Sequence, residues 1–333
     1  MTQTVVVTGA SAGVGRAVAR RYAQRGARLG LIARGEAGLA AAERDCRRLG
    51  AADVRCYRID VADAGAVQQA ADDVVHHFGG IDVWINNAMV SVFAPAWEIS
   101  AAEFRRVTEV NYLGTVYGTL AALRHQRAHG RGTIVQVGSA LAYRGIPLQS
   151  AYCASKHAIQ GFNDSLRSEL LHDCPGVKLS MVQLPAINTP QFTWVRTRLP
   201  RHPQPVPPIF APEVAAHAVV WAADHGTREL NVGGPTWRTR LGNTLFPGLL
   251  DRFLARNGYD SQQTSTPVDP QTWRDNLDAP ADQEQDRGAE GVFTDRARHR
   301  SAALWVGTHK PAVTAVAVTG LAVLATGLRR RLR

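Results

Sequence analysis

Apolar residues in the first half of the chain come in short runs, separated by stretches with helical spacing. Gln3–Thr8 (QTVVVT) is rich in β-branched residues and predicts a strand. A glycine-rich turn follows, then a helical pattern over Val14–Arg25. The alternation repeats, with strands expected at Arg28–Ala33, Val54–Ile59 and Ile81–Ile85 and helices at Ala37–Leu49 and Ala64–Phe78. Further on, Thr133–Val137 predicts a fifth strand, Ser150–His172 a long helix and Val177–Leu184 a sixth strand. Pro212–Asp224 reads as a helix with proline in its first turn, and Arg228–Val232 as a last strand. Near-continuous apolar strands between amphipathic helices imply a parallel sheet covered on both faces. Right-handed crossovers then make it an α/β, doubly wound parallel sheet, here a single domain over residues 1–235.

The pattern changes after that domain. Residues 236–257 predict a short helical extension, amphipathic over Trp237–Asn257. Residues 258–300 are rich in Asp, Gln, Pro, Ser, Thr and Arg and poor in aliphatics, so the expectation is a largely disordered linker. The closing segment, 301–333, holds an uncharged stretch, Ala312–Leu328, followed by RRRLR. Its 17 residues are at the short end for a bilayer, which takes about 20. The arginines suit an anionic lipid surface. The expectation is a C-terminal membrane anchor, with a helix docked on protein as the alternative.

Composition narrows the function classes. A chain of 333 residues with 45% hydrophobic content has room for one large core or two small ones. The formal charge of +10 invites a nucleic-acid reading, but the arginines are scattered and four of them stand in the last five residues. No nucleic-acid motif accompanies them, so the charge reads as solvated surface plus a basic tail. Cys46, Cys56, Cys153 and Cys174 form no CxxC pair and no ligand-like spacing, which argues against a structural metal or a disulfide framework. The opening apolar run is too short for a secretory signal, so a cytoplasmic setting is expected, at the membrane's cytoplasmic face if the tail anchors.

The turn after the first strand is TGASAGVG, Thr8–Gly15. Gly9 allows the tight turn, Gly13 lets backbone approach a pyrophosphate, and Gly15 permits close packing of helix on strand. The helix N-terminus then faces the anion. This spacing resembles the short-chain dehydrogenase/reductase family in its shorter, non-extended branch, a Rossmann-type fold. Further marks follow in the family's order: Asp60, NNAM at Asn86–Met89 where the family has NNAG, Asn111, Ser139, and the YxxxK pair Tyr152 and Lys156. The resemblance covers about residues 1–235. It implies a nicotinamide cofactor held by Thr8, Gly9, Ser11, Gly13, Val14, Gly15, Arg34, Asp60, Val61, Asn87, Ala88, Tyr152, Lys156, Pro185 and Thr189. Pro185 and Thr189 belong to PAINTP, which departs from the family's PGxxxT.

Residues four apart on a helix lie roughly 5–6 Å from each other. A free tyrosine has a pKa of about 10, and a neighbouring ammonium lowers it. Lys156 is placed to do so for Tyr152. By the resemblance, Tyr152 is the general acid/base, Ser139 steadies the substrate oxygen, and Asn111 holds a water linking Lys156 to solvent. The implied reaction is hydride transfer between the cofactor and a carbonyl or alcohol substrate. NAD-preferring enzymes of this fold place an acid about 20 residues after the glycine turn, and this chain has Ala33 and Arg34 there. An arginine can grip a 2′-phosphate, so NADP(H) is expected ahead of NAD(H). Gln191–Phe210 stands where relatives place a substrate lid; Phe192 and Trp194 are candidate apolar walls, and Arg196 or Arg198 a partner for an acidic group. The resemblance also suggests a homodimer or homotetramer. Two other readings stay open, a cofactor-binding redox sensor and a membrane-tethered scaffold without turnover.

Overall fold

β-branched and aliphatic runs place seven strands in one parallel sheet, and the computed structural model describes residues 2–309. The strands are β1 (Thr4–Thr8), β2 (Arg28–Ala33), β3 (Asp53–Arg58), β4 (Val83–Asn86), β5 (Gly132–Ser139), β6 (Val177–Leu184) and β7 (Glu229–Asn231). Their spatial order is β3-β2-β1-β4-β5-β6-β7. The winding reverses between β1 and β4, which opens a crevice at the carboxyl ends of the strands. Helices α1 (Gly13–Ala23), α2 (Glu36–Arg48), α3 (Ala64–Phe78), α4 (Ala101–Val107), α5 (Gly114–Ala128), α6 (Ser150–Asp173) and α7 (Pro212–His225) cover the sheet. Val18 and Tyr22 of α1, Leu39 of α2 and Val219 of α7 join one apolar core. Val74 of α3, Ala122 of α5 and Leu166 of α6 join the core on the other face. This is the Rossmann-type α/β architecture that the strand–helix alternation predicts.

Two segments depart from the expectation. The single extension helix is two: α8 (Gly234–Leu245) and α9 (Pro247–Asn257). Pro247 cannot continue the first helix, and it starts the second in its own first turn. The larger departure is residues 258–300, expected to be a disordered linker. They form a strap fastened along the domain. Gln263–Pro267 pairs antiparallel with Arg201–Pro203, and Ala297–Arg298 pairs parallel with Ile209–Phe210. Leu277 is fully buried in the second core, and Phe293 packs edge-on against Phe192. Low aliphatic content misleads here because the strap is held chiefly by polar bonds. Arg106 Nε donates to Leu277 O at 3.0 Å, and Arg196 pairs with both Asp275 and Asp278. A last helix, α10 (Ala302–Thr308), follows. The anchor expected at Ala312–Leu328 lies outside the described residues, and among the described residues no helix is long and apolar enough to cross a membrane.

Candidate active site

The glycine turn sits at the point where the winding reverses. Gly9 and Gly13 have φ of +64° and +56°, the left-handed region that favours glycine. A Cβ on Gly15 would come within 2.2 Å of Gly9 O, so only glycine lets α1 pack so close to the turn. Thr8 Oγ1 accepts from the Asn87 and Ala88 amides at 2.9 and 3.1 Å, and Asn87 Nδ2 donates to Thr8 O at 3.0 Å. These bonds staple the end of β1 to the end of β4 and fix the crevice walls. Met89, in place of the family's glycine, lines the cavity without a left-handed backbone. The Gly13 amide donates to Gly288 O of the strap at 3.1 Å, while the Val14 and Gly15 amides find no acceptor among the described residues. Two unpartnered donors at a helix N-terminus fit an anionic pyrophosphate.

A cavity of about 490 Å³ runs from this turn to the lid segment. Gly9, Ser11, Gly13, Val14, Arg34, Asp60, Val61, Asn87 and Ala88 line one end. Ser139, Tyr152, Lys156, Pro185 and Thr189 line the cavity further along, and Phe192 and Trp194 contribute aromatic wall. Three predicted residues act from behind the wall. Thr8 and Gly15 shape the turn as described. Asn111, expected among the catalytic residues, does not line the cavity. It lies in a π-helical segment, Thr108–Leu113, between α4 and α5. Its Oδ1 accepts from Val90 N at 2.8 Å, and its Nδ2 donates to Val90 O and Ser155 Oγ, both at 3.0 Å. Asn111 therefore clamps the strand-end loop to α6, which carries the tyrosine and the lysine.

Tyr152 and Lys156 share the cavity-facing side of α6. Lys156 is 4% exposed, its Nζ lies 5.6 Å from the centre of the Tyr152 ring, and it donates to Val137 O at 2.8 Å. Burial pulls the Lys156 ammonium down to about 8. Burial likewise pushes the Tyr152 phenol up to about 12, with the Ser139 hydroxyl beside it pulling the other way. The sequence predicts a phenol acidified by its neighbour, but in this enclosed site desolvation outweighs that attraction and favours the neutral form of both groups. Ser139 Oγ accepts from Leu141 N at 3.1 Å, which orients its hydroxyl.

The remaining expectations divide. Phe192 is buried against Phe93 and the strap's Phe293, with ring centroids 6.3 and 6.0 Å away. Arg196 and Arg198 do not line the cavity. Arg196 binds Asp275 at 3.0 Å and Asp278 at 2.8 Å, and Arg198 binds Glu103 at 2.8 Å. Asp60 accepts from Arg106 and, through Oδ1, from Ala62 N at 3.0 Å. Arg34, assigned to a 2′-phosphate from the sequence, spends its fork on the strap instead. Its guanidinium donates to the carbonyls of Asn276, Leu277 (3.3 Å) and Asp278 (3.1 Å), and burial holds its pKa below the usual arginine value. Sequence reasoning missed Gln149, a cavity residue whose Nε2 donates to the buried Gln262 Oε1 at 2.7 Å, and Asp282, a strap carboxylate in the cavity wall. No local signal marks either residue, because each meets its surroundings through a segment more than a hundred positions away.

A doubly wound sheet with a glycine turn at its switch point, and a serine, tyrosine and lysine on the same crevice, defines a Rossmann-type oxidoreductase. The chain belongs to the short-chain dehydrogenase family, which it matches over residues 3–199. It is 32% identical over 332 residues to "Uncharacterized oxidoreductase YxnA" of Bacillus subtilis, spanning 99% of this chain and 91% of that protein. It is 37% identical over 186 residues to "Dehydrogenase/reductase SDR family member 7" of Homo sapiens, 55% of each chain. It is 37% identical over 200 residues to "11-beta-hydroxysteroid dehydrogenase-like 2" of Arabidopsis thaliana, 57% of this chain and 62% of that one. Membership implies a nicotinamide cofactor and a small-molecule substrate.

Proposed function

We propose that this chain reduces the carbonyl group of an apolar small molecule, with Tyr152 as the proton donor. The observation that carries the reading is Tyr152, Lys156 and Ser139 opening into the same cavity as the glycine turn. A reduced nicotinamide dinucleotide, its pyrophosphate held by the amides of that turn, would supply the hydride. Ser139 hydrogen-bonds the carbonyl oxygen, and Tyr152 passes its proton to that oxygen as negative charge grows there. Lys156 lies close enough to steady the phenolate left behind and, anchored on Val137 O, to keep its charge beside the ring.

The apolar side chains of the cavity wall support the substrate class. Ile146, Phe192, Val206, Leu250 and Phe253 are among them, so the cavity accepts a hydrocarbon body along with the reacting carbonyl. The resemblance to a protein named for a hydroxysteroid dehydrogenase points the same way. A redox sensor without turnover has no need of a buried acid and lysine set together. The test is Tyr152→Phe, assayed by oxidation of the reduced cofactor against a panel of aldehydes and ketones. Turnover should fall by at least about 10²-fold, with cofactor binding kept within a few-fold. Undiminished turnover in that variant would remove Tyr152 from the acid role.

A further inference from the structure

We infer that Asp282, carried on the C-terminal strap, reads the ribose 2′ position and selects NAD(H) over NADP(H). The inference rests on the nicotinamide reading above. In this fold an acid near the end of β2 accepts a hydrogen bond from the 2′-hydroxyl, and a basic residue there accommodates a 2′-phosphate. Here β2 ends in Ala33 and Arg34, with no acid of its own. The strap brings one to the same place. Asp282 lines the cavity, is 6% exposed, and has no hydrogen-bond donor on its carboxylate among the described residues. A ribose hydroxyl at that point would give this open acceptor a donor.

Glycines make room for it. A Cβ on Gly35 would come within 1.7 Å of Asp282 Oδ1, and one on Gly38 within 2.2 Å of Oδ2. The strap backbone is fixed there, because the Gly38 amide donates to Asp282 O at 3.0 Å and the Ala37 amide to Gln283 O at 3.2 Å. Those are amides from the first turn of α2, which would otherwise attract a phosphate. The other feature suited to a 2′-phosphate is the Arg34 guanidinium, and it is engaged by the carbonyls of residues 276–278. A 2′-phosphate would therefore meet a carboxylate, with both nearby phosphate-binding features already in use.

The experiment titrates the full chain with NADH and with NADPH, following reduced-cofactor fluorescence. Competition by AMP and by 2′-phospho-AMP reads the adenosine end alone. The wild type should bind NADH at least about tenfold more tightly than NADPH, and AMP more tightly than its 2′-phosphate. Asp282→Asn and Asp282→Ser should each shrink that ratio severalfold, chiefly by weakening the discrimination against the phosphate. A wild type that prefers NADPH, and loses that preference in Arg34→Ala, would overturn the inference and return Arg34 to the 2′-phosphate. A ratio unmoved in both Asp282 variants would also overturn it while leaving the oxidoreductase reading intact. Binding of neither dinucleotide would remove both.

Discussion

Lys156 shows how one residue carries opposed demands. It must hold a charge next to Tyr152, yet burial pulls its pKa from 10.5 to about 8. The folded value lies below the unfolded one, so between those two pH values the folded chain binds fewer protons than the unfolded chain. The stability that Lys156 contributes is therefore lowest below about pH 8 and rises above it, as the unfolded lysine stays charged and the folded one does not. Lys156→Met removes this dependence together with the bond to Val137 O. Relative to the parent, the variant should lose about 2 kcal/mol of stability on going from about pH 7 to about pH 9.5, measured by urea unfolding at each pH. A difference that stays constant with pH would show that the folded lysine titrates at its ordinary value. At this scale the sequence was informative for the chemistry and silent on its balance. The four-residue spacing put phenol and amine together, but only enclosure by the surrounding elements made desolvation the larger effect.

The break between α4 and α5 shows the same limit for elements. A strand–helix alternation predicts that a helix follows β4, and one does, but its middle is the π-helical segment Thr108–Leu113. The extra residue in that turn lets Asn111 reach Val90 and Ser155 at once, which an unbroken helix would not ensure. Asn111→Ala leaves the Val90 amide and carbonyl without their partner in a buried place. The expected cost is about 3 kcal/mol, seen as a lower urea midpoint, with turnover reduced because α6 is no longer held in place. A midpoint equal to the parent's would mean that the clamp contributes nothing to the fold. α8 and α9 make a related point. The sequence reads a single helix over Trp237–Asn257, whereas Pro247 divides it into two that pack together beside the cavity.

Over the whole molecule, the strap decides what the cleft presents to solvent. Residues 276–298 run past Arg34, the N-termini of α2 and α1, Asn188 and Phe210, contributing a carbonyl, a carboxylate or an aromatic ring at successive points. Arg16, 2% exposed, ties this path together by binding Asp45 of α2 and Asp286 of the strap. Ending the chain after residue 257 would leave Arg16, Arg34, Arg106 and Arg196 without those partners. The shortened chain should keep its α/β circular dichroism but unfold at a distinctly lower temperature; an unchanged melting temperature would show that the strap lies on the domain without supporting it. The central sheet, the glycine turn and the Ser139, Tyr152 and Lys156 set were legible in the sequence, because each is encoded by local periodicity or short spacing. A strand's apolar run, a turn that only glycine can make and a tyrosine one helical turn from a lysine all carry their meaning within a few residues. The strap, the engagement of Arg34 and the arrival of Asp282 at the N-terminus of α2 were decided by tertiary structure alone. Their partners are distant in the chain and bound through backbone carbonyls, which every residue carries and no side-chain pattern reveals.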